Sequence, residues 1–147
     1  MKKGIQFSLC LLLGLFFSAS AVFGQGVAGE WVTIDDDGKT KKSVVQITEK
    51  DGKLYGQITE LFRGPDEEQN PMCEECPGKK QNTPIIGLEM LYGLTKDGEG
   101  WDNGTILDPE SGKEYSCQLN LNADGTLNVR GYMGFSMFGR SQTWQRK

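Results

Sequence analysis

Gly29-Glu30-Trp31 opens the first strand-like segment of the chain, and Arg140-Ser141-Gln142-Thr143-Trp144-Gln145-Arg146 closes the last. A Gly-x-Trp at the start and arginines on the final strand point to a small antiparallel barrel, because closure makes those two strands neighbours. The Trp31 indole then lies under a guanidinium from the last strand, stacked on its face. Arg140 is assigned to that contact. Trp144 and Arg146 share its side of the strand and stand as substitutes. The competing reading makes these arginines ligands for an anion.

Alternation supports the strands in between. Tyr115, Cys117, Leu119 and Leu121 are apolar, while Ser116, Gln118 and Asn120 are polar. That is a period of two, with one face buried. Leu127, Val129 and Met133 continue the core side after the turn at Asp124-Gly125, which sends Arg130 and Tyr132 outward. If they faced inward instead, Arg130 and Tyr132 would grip a carboxylate, the arginine through two parallel N–H bonds. Further strands are predicted over 27–34, 43–48, 54–62 and 85–94. Gly and Asp clusters punctuate them: Asp35-Asp36-Asp37-Gly38, Asp51-Gly52, Lys96-Asp97-Gly98, Asp102-Asn103-Gly104 and the stretch from Asp108 to Gly112. The expected fold is all-β, an up-and-down antiparallel barrel of about eight strands. Such a barrel holds side chains or one small ligand.

Lys2 and Lys3 precede an apolar run from Phe7 to Phe17 and then small residues. This reads as a signal peptide over residues 1–24, with cleavage after Ala21 or Gly24. The domain proper is then 25–147, in the periplasm or outside the cell. Losing Lys2 and Lys3 takes the net charge from −4 to −6. An acidic domain is not built to neutralise phosphates, so no nucleic-acid partner is expected. No second apolar segment suggests a membrane span. The chain has no histidine. That removes Ser-His-Asp and Cys-His catalysis and His-ligated metals, and no enzyme activity, cofactor or metal is expected.

Cys73-Glu74-Glu75-Cys76 lies in the longest irregular segment, 64–84. Two glutamates between the cysteines disfavour a thiolate, so a structural disulfide is preferred to a redox pair or metal site. Cys117 falls on the buried face and reads as an inert core thiol. Phe135, Met137 and Phe138 lie in a connection between Gly134 and Gly139 where polar residues are the norm. They form a lid over the barrel, a contact patch, or part of the core.

The motifs G-E-W, G-K-L-Y-G, C-E-E-C-P-G, W-D-N-G-T-I-L-D-P-E-S-G-K-x-Y, V-R-G-Y and F-G-R-x-Q-T-W resemble the bacterial secreted family catalogued as domain of unknown function 2147. That family is similar to the calycin superfamily of lipocalin and fatty-acid-binding barrels. The resemblance implies a lipocalin-like barrel in the bacterial envelope and carries no activity with it. The Arg-x-Tyr of fatty-acid-binding barrels has a counterpart in Arg130 and Tyr132. The leading expectation is a protein that binds a small apolar or amphiphilic ligand, contacted by Trp31, Arg130, Tyr132, Phe135, Phe138 and Arg140. The alternative is a structural or interaction module of the cell envelope with a filled core and a protein partner. A thiol protein using Cys73 and Cys76 comes third.

Overall fold

The structure, a computed structural model, describes residues 26–135 and 139–147. The leader expected over 1–24, and Phe138, lie outside the described residues.

Turn chemistry sets the strand boundaries. Asp51 and Gly52 both take positive φ (52° and 73°), which makes the tight two-residue turn that matches strand twist. In the first turn the Asp37 carboxylate accepts the backbone N–H groups of Lys39 and Thr40, each at 2.8 Å. The strands between such turns are β1 (Gly29–Ile34), β2 (Lys41–Lys50), β3 (Lys53–Leu61), β4 (Met72–Cys73), β5 (Thr83–Pro84), β6 (Glu89–Asp97), β7 (Gly100–Leu107), β8 (Glu114–Leu121), β9 (Leu127–Tyr132) and β10 (Gly139–Arg146). Eight of them close a barrel in the order β1-β10-β9-β8-β7-β6-β3-β2, and every neighbouring pair is antiparallel. β4 and β5 form a separate ribbon inside the long β3–β6 excursion.

Beyond shifts of a few residues at strand ends, three departures from the sequence expectation have a local reason. β1 begins at Gly29 rather than residue 27, because the Val27 carbonyl accepts the Trp31 indole N–H (2.8 Å) instead of a strand partner. β6 begins at Glu89, because Gly87 at φ 98° turns the chain: its N–H donates to the Ile58 carbonyl, and the Leu88 N–H turns back to Ile85. Asp102-Asn103-Gly104 is no turn. It is a β-bulge inside β7, with Asn103 at φ 59° and the Asp102 carboxylate accepting its N–H at 2.6 Å. Leu121, expected in the core, is 38% exposed at the end of β8.

The interior is packed hardest at the end of the barrel that holds Trp31. Trp31, Ile47, Leu54, Leu94, Leu119 and Leu127 are all at most 1% exposed there. A smaller group, Val32, Ile34 and Val44, is buried apart from this core. Gly104 makes the close fit feasible: a Cβ there would lie 2.3 Å from Leu94 Cγ and 2.7 Å from its backbone nitrogen. Gly104→Ala is therefore expected to lose about 1–3 kcal/mol through overpacking. Gly131→Ala, whose Cβ would have no neighbour nearer than 3.5 Å, should be close to neutral. Urea unfolding of both variants checks this. Equal midpoints would mean that the β6–β7 contact is not under compression.

Candidate functional site

β10 shows how the two ends of the barrel differ. Arg140, Gln142, Trp144 and Arg146 alternate along one face, as the sequence suggests. Arg146 stands directly across from Trp31, and its guanidinium lies 4.2 Å from the indole ring centre. It also donates to the Gly26 carbonyl (2.7 Å) and the Ala28 carbonyl (3.3 Å). Gly29, at φ 132°, leaves the necessary room, since a Cβ would fall 2.9 Å from the guanidinium. The stacking arginine is thus Arg146 and not Arg140. The reason is register: six residues of strand carry Arg140 about 20 Å away, to the far end of the barrel.

At that far end the side chains stand apart. They leave a cavity of about 760 Å3, open to solvent and within the roughly 300–1,000 Å3 of small-molecule sites. Ile58, Leu61, Met90, Ile106, Val129 and Trp144 give it apolar walls. The buried hydroxyls of Thr33 and Ser43 meet at 2.8 Å. The Trp144 indole N–H donates to Gln142 Oε1 (3.2 Å), and Gln142 in turn donates to Asp36 (3.0 Å). Gly131 faces inward between Ile106 and Tyr115 and presents no side chain to the space.

Ion pairs ring the mouth. Lys42 Nζ lies 2.6 Å from Glu110 and 3.9 Å from Asp35. Its hydrogen bond to Glu110 raises the ammonium pKa, against a smaller opposing effect of burial. Arg140 pairs with Asp36 at 2.5 Å, and Arg63 with Glu67 at 3.7 Å. Being exposed, each pair contributes at most about 1 kcal/mol. Phe62, Met133 and Phe135 add exposed apolar surface (39%, 67% and 77%). The long excursion buttresses one side. Cys73 and Cys76 form a disulfide, and Cys73 Sγ lies 3.3 Å from the Pro109 carbonyl oxygen in the β7–β8 turn.

The sequence-derived site residues therefore separate. Arg140 is at the mouth, and Phe135 is exposed next to mouth residue Met133. Trp31 sits under Arg146 at the packed end and does not line the cavity. Arg130 does not line the cavity, in keeping with the alternation, whereas Tyr132 borders it. Arg130 donates to Ser141 Oγ (3.0 Å), and the Tyr132 hydroxyl donates to Asp102 (3.2 Å). Burial pushes the Asp102 carboxyl up, but hydrogen bonds from Gln118, the Asn103 N–H and Tyr132 outweigh it and hold the pKa below the usual range. Burial, with the Asp102 bond adding to it, raises the Tyr132 hydroxyl. Lys42, Met90, Glu110, Gly131 and Gln142 were not singled out in the sequence. Gly131 was within reach, because it shares the parity of Val129 and Met133. Among the described residues no His, Cys, Asp and Glu side chains group as a metal site, and no helix is long and apolar enough to cross a membrane.

A family described as "Uncharacterized protein conserved in bacteria (DUF2147)" matches residues 29–146. The chain belongs to this family. No curated protein matches it. Among solved structures it is similar to a protein of Helicobacter pylori, HP1028, described as belonging to the lipocalin family. The identity is 22%, the TM-score 0.69, and the match covers 82% of each chain. At that identity the likeness is one of fold, and it agrees with the closed eight-stranded barrel.

The cysteines allow a direct check. Burial pushes the Cys117 thiol from the ordinary value of 9.0 up to about 12, and the Asp102 carboxylate adds to the rise. A thiol reagent should label no cysteine among the described residues of the native protein and Cys117 alone after denaturation. Cys73 and Cys76 should react only after reduction as well. The raised pKa also has a sign for stability. Below about pH 9 the thiol is protonated in both states. Between there and about pH 12 the unfolded chain ionises first, so stability is lost as pH rises. Cys117→Ala should lose less stability than the parent protein across that alkaline window. Equal slopes would show that Cys117 is not held protonated by the fold.

Proposed function

We propose that the protein is an exported, non-catalytic carrier that holds a small apolar or amphiphilic molecule in its barrel. The cavity carries this reading: apolar side chains such as Ile58, Met90, Val129 and Trp144 line it, and its charged groups belong to the residues of the mouth. Water in such a space is poorly partnered, and an apolar ligand that displaces it gains roughly 25 cal/mol per Å2 of surface buried. The leader-like N-terminus supports export, and the absence of histidine supports a non-catalytic role. A second reading, an interaction module of the envelope, draws on the exposed Met133 and Phe135.

The two readings part at Gly131. A side chain there projects into the cavity without disturbing the rim. N-phenyl-1-naphthylamine, an uncharged dye that brightens in apolar surroundings, should bind the protein. Gly131→Leu should weaken it by about tenfold or more, equivalent to about 1.4 kcal/mol, with unchanged circular dichroism. Phe135→Asp should leave dye binding close to the parent value. If Gly131→Leu binds the dye as well as the parent does, the interior is not the site.

A further inference from the structure

The rim is charged where the interior is not, and its charge is unbalanced. This inference rests on the cavity reading above and names the ligand's head group. Three basic side chains line the cavity: Lys42 and Arg140 from the ends of β2 and β10, and Arg63 from just beyond β3. Each is already engaged by acid, Lys42 by two carboxylates and the arginines by one each. Five acidic side chains line the same space, the fifth being Asp108. The mouth therefore carries two more negative charges than positive ones. Residues 136–138 are Ser, Met and Phe, so they do not alter that balance. The uncharged polar residues of the lining are Thr33, Ser43, Tyr115, Tyr132 and Gln142.

A carboxylate head in this mouth finds no uncommitted cation. To gain one it must break Lys42 from Glu110 or Arg140 from Asp36, which leaves the displaced acid beside it. A cationic head breaks nothing and enters an attractive field. Near a protein surface, each unbalanced unit charge a few ångströms away acts on it with an energy of about 1–4 kcal/mol before screening. Phe62 and Tyr115 also line the space and offer aromatic faces, a surface suited to ammonium groups. We infer that the barrel takes an amphiphile with a positively charged head, its hydrocarbon part among Ile58, Met90, Val129 and Trp144 and its cation at the rim beside Asp108 and the two acids that share Lys42, Asp35 and Glu110.

Chain-matched dodecylamine, dodecanol and laurate, competing against N-phenyl-1-naphthylamine at neutral pH and low salt, test this. Dodecylamine should compete about tenfold more tightly than laurate, with dodecanol between them. The gap should narrow several-fold in roughly half-molar salt, where the screening length is only about 4 Å. Glu110→Gln removes an acid and leaves Lys42 one partner fewer, so it should shift the preference toward laurate. Gly131→Leu should weaken all three probes alike. Laurate binding as tightly as dodecylamine, or dodecanol equalling it, would overturn the cationic head group while leaving the cavity reading intact. If none of the three competes and Gly131→Leu leaves the dye unaffected, the cavity reading falls and takes this inference with it.

Discussion

The Arg146 guanidinium on the Trp31 indole anchors the seam of the barrel at its packed end. β1 and β10 share only two register pairs, Trp31 with Arg146 and Val32 with Gln145. Such a short seam is weak on backbone hydrogen bonds alone, and an open seam would expose two strand edges. The stack compensates. It joins the first strand to the last through a buried aromatic face, and the same guanidinium binds the chain that leads into β1. Lys147 extends the seam: its N–H donates to the Glu30 carbonyl (3.1 Å), and its ammonium reaches Glu60 on β3 (2.9 Å). The Gly-x-Trp motif then has a physical meaning. Glycine clears space for the cation, and tryptophan offers it a face.

With one end held by that stack, the other is free to stay open. Near Trp31 large side chains such as Ile47, Leu54, Leu94, Leu119 and Leu127 are fully buried. Toward the mouth the inward positions include Gly131, Thr33 and Ser43, which occupy little volume. A taper from tight packing to open space follows from this placement of sizes along strands of similar length. It also divides the labour, because the packed end supplies stability and leaves the mouth free of that demand. The rim ion pairs are exposed and individually weak, which suits a surface that must exchange partners with a ligand.

The excursion between β3 and β6 is part of this design. Its disulfide-bearing turn packs against the Asp108-to-Gly112 connection so closely that a Cβ at Gly112 would fall 1.7 Å from the Glu75 carbonyl oxygen. That connection carries Asp108 and Glu110 to the mouth. The disulfide thus acts at a distance from the ligand space, by holding the loop that presents two of its acids. Tyr92 links the same region to the barrel wall, with the Lys80 ammonium over its ring (4.0 Å) and its hydroxyl donating to Glu114.

Much of this was legible in the chain by itself. Turn chemistry at Asp51-Gly52 and Asp124-Gly125, the alternation in β8 and β9, and the shared face of Arg140, Gln142, Trp144 and Arg146 are local properties, set by φ preferences and the period of two along a strand. They determined an all-β meander and the side on which each residue falls. Other features depended on contacts between distant residues. Register decided that Arg146 and not Arg140 covers Trp31, because pairing across a seam sums interactions from both strands. Packing against Leu94 and β8 turned Asp102-Asn103-Gly104 from an apparent turn into a bulge. The cavity is likewise a product of the tertiary structure alone. Whether an interior is filled is the difference between the space enclosed by eight strands and the summed volume of side chains from all of them, and no single stretch of sequence contains that difference.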